Sequence, residues 1–264
     1  MDRTVAHQAS RSFIHAPPGY GFAATQQLVP ILIAELGQLL PHYVLAFVQQ
    51  NGRFTPVAVT GLGGERNLYL DADGKWLAGY VPAILRGYPF SLANNETDQQ
   101  VLCIHREHLL EGQGSESSTD TNSKQPLPLF DGQGALSPPV QQTLDFLKKC
   151  DANRRITQTA SHLLQGNGLI EPWPLEIERA NDQEPLTVKA LYRVSERALN
   201  ALKADAFAGL RRHGALPLAY AQLFSMNQLS LLSDRAAFHA RKPARAQEVD
   251  LEALFDGDNE TFSF

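Results

Sequence analysis

The sequence predicts an α+β protein, a β-rich N-terminal half packed with a helix-rich C-terminal half, and three observations carry that reading. Short β-branched and aromatic runs separated by turn residues fill the first 110 residues. Two of these runs flank Asn51-Gly52, a dipeptide suited to a two-residue hairpin because both residues tolerate positive φ. From Pro138 onward the apolar spacing changes to three and four residues, the period of one helix face. The 264 residues are 43% hydrophobic and 19% charged, a globular mix long enough to bury a sizeable core without disulfides or a structural metal.

Taken in order, residues 1–27 read as a flexible N-terminal segment. Asp2, Arg3, His7, Arg11 and His15 interrupt it, so it lacks the continuous apolar stretch of a secretory signal. Residues 29–48 are the most apolar run, but Glu35, Gln38, Pro41 and His42 break it; two short buried elements are expected, and no membrane insertion. Residues 43–49 predict a strand, and 54–62 its hairpin partner, with Pro56 suggesting an edge or a bulge. A third short strand is expected at 67–70, followed by the turn Asp71-Ala72-Asp73-Gly74 leading to Trp76. Residues 80–85 suit one turn of helix or a strand, with Pro82 at the start. A polar loop over 93–100 leads to a returning strand at 101–105.

Residues 112–125, GQGSESSTDTNSKQ, contain no large apolar side chain and predict a mobile loop inserted into the domain, since nothing there offsets the entropy of ordering it. Phe130 and a second Asp-Gly turn then tuck the chain back. Pro138 and Pro139 open the longest predicted helix; Val140, Leu144, Leu147, Ile156, Ala160, Leu163 and Leu164 mark its face, and Gly166-Asn167-Gly168 its stop. Strands are expected at 169–178 and 186–192, bridged by a turn at 181–185. Ser195 is an N-cap candidate for a short helix, Asp205 opens another, and 216–232 is apolar almost all round, as a buried helix would be. The domain is therefore expected to span 28–233.

Residues 234–264 predict a charged tail. Arg235, Arg241, Lys242 and Arg245 precede the acidic run 248–260, which carries Leu251, Leu254 and Phe255 among carboxylates; Phe262 and Phe264 end the chain. Two readings stand: a disordered, solvated tail, or a short amphipathic motif that docks on a partner or on its own domain.

Chemistry is less legible. Lys plus Arg total 23 against 28 Asp plus Glu, a net charge of −5, so no nucleic-acid partner is expected. Two cysteines, Cys103 and Cys150, read as small core residues in a reducing, cytoplasmic compartment. His105-Arg106-Glu107-His108 spaces two histidines three apart, but a metal needs a third ligand and none is signposted, so no metal and no cofactor is expected. The Gly-x-Ser-x-Gly elbow is absent, and Gly61-Leu62-Gly63-Gly64 lacks the Lys-Ser/Thr of a phosphate loop. No catalytic residue is legible, and the sequence leans away from an enzyme. The concentration of Asn67, Tyr69, Trp76, Tyr80, Arg86, Tyr88 and Phe90 within 26 residues suits a recognition surface, because aromatics and Arg combine contact area with polar handles. The alternative is an aromatic corner of the core covered by Arg86.

The run GLGGERNLYLDADGKWLAGYVPAILRGYPFSL resembles the hallmark region of the bacterial SapC family. PLFDGQGALSP, FLKKCDANRRITQTASHLLQGNGLIEPWPLEI and LTVKALYRVSERALNALKADAFAGLRRHGALPLAYAQLFSMNQL follow in the same order, so the resemblance covers roughly residues 28–232. It implies association with bacterial surface layers and with neighbouring flavin-dependent tryptophan halogenases, TonB-dependent receptors and cupin-like oxygenases, and it brings no catalytic residues with it. On this basis the chain is expected to be a non-catalytic binding or accessory protein. Its expected partner is a protein or peptide, a halogenase or cupin-like oxygenase by family association. An iron-dependent oxygenase-like enzyme using His105, His108 and a carboxylate, and a surface-layer structural protein, are the alternatives.

Overall fold

The computed structural model describes residues 3–5, 12–15, 19–63, 66–111, 126–177, 186–188 and 190–240. The expected mobile loop 112–125, the turn 181–185 and the tail residues Leu251, Leu254, Phe255, Phe262 and Phe264 lie outside them. Among the described residues no helix is long and apolar enough to cross a membrane.

The N-terminal half supplies most of the strands: β1 (Arg3–Val5), β2 (Ser12–Ile14), β3 (Leu28–Pro30), β4 (Val44–Gln50), β5 (Arg53–Val59), β6 (Phe90–Asn94), β7 (Gln100–His105), β8 (Leu109–Glu111) and β9 (Leu127–Pro128). The C-terminal half adds β10 (Ile170–Pro172), β11 (Leu175–Ile177), β12 (Leu186–Val188) and β13 (Leu191–Val194). Its helices are α3 (Pro138–Gly166), α4 (Glu196–Asn200), α5 (Ala204–Arg212), α6 (Ala215–Ser225) and α7 (Leu229–Ala240), after two single turns, α1 (Leu36–Leu39) and α2 (Ala83–Arg86). The class is α+β as expected. All strand pairings are antiparallel, in a five-stranded sheet ordered β10-β13-β4-β5-β3, two three-stranded sheets (β1-β7-β6 and β8-β2-β9) and the β11-β12 ribbon.

The two halves share one core. A single buried cluster joins Val29, Tyr43, Leu45 and Phe47 from the N-terminal half to Ala160, Leu164, Leu191, Leu218 and Leu232 from the C-terminal half. Small residues let α3 lie close on β5: Ala160 and Ser161 are fully buried, and the Ser161 hydroxyl donates to the Phe54 carbonyl at 2.6 Å.

Buried Gln222 of α6 acts as a strut between two strands. β13 pairs with β4 at Leu191↔Val48 and Tyr192↔Phe47 and then diverges. Into the gap Gln222 inserts its amide, accepting from the Val194 N–H (2.8 Å) and donating to the Leu45 carbonyl (3.2 Å), as a peptide group of the missing ladder rung would. The Leu45 N–H donates to the Ser225 hydroxyl at 2.9 Å, so both backbone groups of that core residue are satisfied from one helix.

Several expectations need correction. The segment 1–27 contains β1, β2 and a 3-10 turn at Gly21–Ala23 with Ala23 fully buried; β1 pairs with β7, and β2 with β8 and β9. These strands are three residues long and polar or mixed, so their order comes from distant partners that no local pattern reveals. Pro56 sits in an interior strand. Its carbonyl accepts from the Ile31 N–H, so its nitrogen faces the same side, opposite Ile31; lacking an N–H it cannot return the reciprocal rung, and the β3 ladder ends at the preceding pair, Pro30↔Val57. Residues 67–70 are not a strand: the buried Asn67 side chain serves the backbone instead, donating to Ala23 O and accepting from Tyr69 N, and only a Leu70↔Trp76 bridge remains. The 93–100 loop begins later than expected, because β6 runs to Asn94 before turning through Asn95–Gln99. The 216–232 helix divides into α6, a 3-10 turn at Met226–Gln228 and α7. α7 runs past 233, into the expected tail, because Arg235 stacks over Tyr69 (4.3 Å) and His239 Nε2 meets the Leu68 carbonyl (3.1 Å).

Candidate functional site

The structure separates the seven residues expected to form one surface. Asn67 and Tyr69 are fully buried and Trp76 nearly so. They belong to a hydrogen-bonded aromatic core in which Tyr69 stacks on Tyr43 (4.6 Å), the Trp76 Nε1–H donates to Tyr43 Oη (2.8 Å), Tyr43 Oη donates to the Tyr80 carbonyl, and Tyr69 Oη donates to the His42 carbonyl (2.7 Å). Burial pushes the Tyr43 phenol far up and the Tyr69 phenol up to about 12, so both remain neutral donors. For these three the alternative reading, an aromatic corner of the core, describes their position. Phe90 is half-buried against a second cluster of Ile14, Ile104, Leu129 and Val140.

Tyr80 and Arg86 come together around a buried carboxylate that the sequence did not single out. Glu35 accepts from the Leu32 N–H at 2.8 Å, the Ala83 N–H at 2.7 Å and Tyr80 Oη at 2.9 Å, while Arg86 donates to Tyr80 Oη at 3.2 Å. Burial raises the Glu35 carboxyl, and the backbone and tyrosine donors oppose that rise. Tyr80 itself is pushed up to about 12 by burial and by Glu35. Arg86 is exposed, its guanidinium held over the rings of Tyr80 (5.2 Å) and Phe146 (4.9 Å).

Tyr88 faces an open cleft of about 400 Å³ lined by Gly19, Gly21, Phe22, Asp73, Glu107 and His108. Its wall is a parallel stack of Phe22 on Tyr88, ring centroids 3.8 Å apart. The floor needs glycine: the Tyr20 N–H donates to Gly74 O at 2.8 Å, and a Cβ on Gly19 would lie 2.7 Å from that same oxygen. Gly74, at φ +76°, closes the turn whose Asp71 carboxylate accepts from the Asp73 and Lys75 N–H groups.

Proton positions in the cleft follow from hydrogen-bond chemistry. His108 Nδ1 lies 2.9 Å from the His15 carbonyl, which only accepts, so Nδ1 carries a proton. Tyr88 Oη lies 2.9 Å from His108 Nε2 and 3.0 Å from Glu107 Oε1. The Tyr88 Oη–H donates to the Glu107 carboxylate, which only accepts, and His108 Nε2 lies alongside the same phenol oxygen. Burial and Glu107 together push Tyr88 up to about 12, which keeps its proton in place.

His105 and His108 are not arranged as a ligand pair. His105 packs its ring on Tyr88 at 4.8 Å, and both nitrogens of His108 are engaged. His105-Arg106-Glu107 is a His-x-Glu spacing, yet Glu107 turns to Tyr88. Among the described residues no three His, Cys, Asp or Glu side chains come together so as to hold a metal ion. Sequence reasoning missed Gly19, Gly21, Phe22, Asp73 and Glu107; the Gly19-Tyr20-Gly21-Phe22 run and the Asp71–Gly74 turn were the only local signals.

Comparison with known proteins adds a family and no relatives. No curated protein and no solved structure matches the chain. A family model described as SapC matches residues 5–232, taking in β2 and the glycine-rich floor of the cleft as well as the body up to Leu232. The chain belongs to the SapC family.

Proposed function

We propose that this SapC-family chain is a non-catalytic accessory protein that binds a peptide or protein partner, with the Phe22–Tyr88 cleft as its recognition site. The observation that carries this reading is the stacked aromatic pair on an open wall: core packing alone gives no reason to leave two rings on a cleft of this size. Glu107 and His108 hold Tyr88 from the side, so the wall is preorganised and little side-chain entropy is lost on binding. By family association the partner works in a surface, uptake or peptide- or tryptophan-modifying system, a flavin-dependent halogenase or a cupin-like oxygenase being the first to test.

Purified halogenase and oxygenase from the same genome are titrated calorimetrically into the full chain and into Phe22→Ala. Binding to the parent chain, weakened at least tenfold in a variant with unchanged circular dichroism, is the expected result. No binding of either enzyme, or equal binding to both chains, refutes the proposal.

A further inference from the structure

The charge around the Phe22–Tyr88 cleft narrows what can fill it. Two carboxylates line the opening, Asp73 and Glu107, and no lysine or arginine does so among the described residues. Both acidic side chains are exposed. One oxygen of Glu107 accepts from Tyr88 Oη at 3.0 Å and lies 3.9 Å from His108 Nε2; the other has no partner among the described residues. The Asp73 carboxylate makes no hydrogen bond and no ion pair there, only its backbone N–H being used, toward Asp71. Lys75 and Arg106 are close in sequence and exposed, yet neither pairs with these carboxylates.

An occupant has to answer both the rings and the acids. A wholly apolar group would strip water from two carboxylates and return no hydrogen bond. An acidic group would bring like charge beside them. A cation on an apolar stem satisfies both, since its methylenes cover ring surface and its head is attracted by carboxylates and by aromatic faces alike. A guanidinium suits the site better than an ammonium: it is planar, lies flat on a ring, and presents paired N–H groups to a carboxylate. The cleft, at about 400 Å³, has room for one long side chain and its flanking backbone.

We propose that the cleft recognises an arginine side chain presented by the partner, with its methylenes along the Phe22–Tyr88 wall and its guanidinium toward Glu107 and Asp73. This rests on the reading of the cleft as a partner site and adds the chemistry that the partner carries into it. Because both carboxylates are exposed, the attraction is screened by salt, whereas contact with the rings alone is not.

The test titrates acetyl-Gly-Arg-Gly-amide into the full chain and follows the Phe22 and Tyr88 ring signals by NMR, beside the same peptide with lysine or with uncharged norleucine in place of arginine. Saturable shifts are expected with the arginine peptide, with binding at least about fivefold tighter than the other two. Asp73→Asn and Glu107→Gln are each expected to weaken the arginine peptide about three- to fivefold and leave the norleucine peptide unmoved. The Asp73 carboxylate has no partner to lose, and Gln at 107 keeps an acceptor for Tyr88, so both variants retain the cleft. Equal binding of the norleucine or lysine peptide overturns the proposal while leaving the cleft a peptide site. So does unchanged arginine-peptide binding in both variants. No ring shift with any peptide up to about 10 mM overturns it as well. The calorimetric titration of the two enzymes, which uses no arginine peptide, then judges the partner site separately.

Discussion

Replacing Gln222 by Leu keeps the volume of the side chain and removes only its amide. The Val194 N–H and the Leu45 carbonyl then lose their partners in a site where both residues are 1% exposed and water cannot substitute. Each stranded group costs about 1–3 kcal/mol, and the added apolar surface of Leu returns about 1 kcal/mol, so a net loss of about 3 kcal/mol is expected. That is a large part of the roughly 5–15 kcal/mol by which a domain is stable. Urea unfolding followed by circular dichroism measures it. With an m-value of about 3 kcal/mol/M the midpoint falls by about 1 M, and the slope stays unchanged because the same surface is exposed. A midpoint shift worth less than about 0.5 kcal/mol would refute the reasoning, because it would mean that the strands close the gap without the strut.

Three further outcomes are expected. Gly19→Ala drives a methyl to within 2.7 Å of a backbone oxygen, so it shifts the cleft floor; a loss of about 1–3 kcal/mol in thermal unfolding and weakened partner binding are the readouts. Glu35→Gln sets an amide N–H against at least one of three donors and costs about 1–3 kcal/mol by urea titration. Because burial raises the Glu35 carboxyl, its contribution is full in acid, below the unfolded value, and is lost as pH rises through the folded one. The gap between parent and variant therefore narrows as pH rises above the unfolded value of about 4.3. Asp151 has the opposite sign: the hydrogen bond from Arg154, with Gln100 and Arg155 adding to it, outweighs burial and lowers its carboxyl. Its stabilisation is present above the unfolded value of about 3.9 and is lost as pH falls through the folded one. Asp151→Asn then costs at most about 1 kcal/mol at pH 7, its arginine partners being solvent-screened, and the difference vanishes in strong acid.

The cleft shows why site reading from sequence stopped short. Tyr88 was among the residues expected to bind, and it does line the opening, but Asn67, Tyr69 and Trp76 from the same stretch point into the core. Aromatic composition is the same in both settings, and only the packing of α7 and the 19–23 turn against that stretch separates them.

What the sequence by itself determined were the features set within a few residues: the hairpin at Asn51-Gly52, where both residues take positive φ, the bounds of α3 from Pro138 to Gly166, the short helix after Ser195 and the α+β class. Turn dihedrals, caps and apolar period act over one or two turns of chain, so they leave a local signature. Tertiary structure alone decided the sheet order β10-β13-β4-β5-β3, the role of Gln222, the strands of the first 14 residues and the meeting of Phe22, Asp73, Tyr88 and His108. Each of these joins segments tens to hundreds of residues apart through hydrogen bonds and burial, and those contacts exist only once the core has formed.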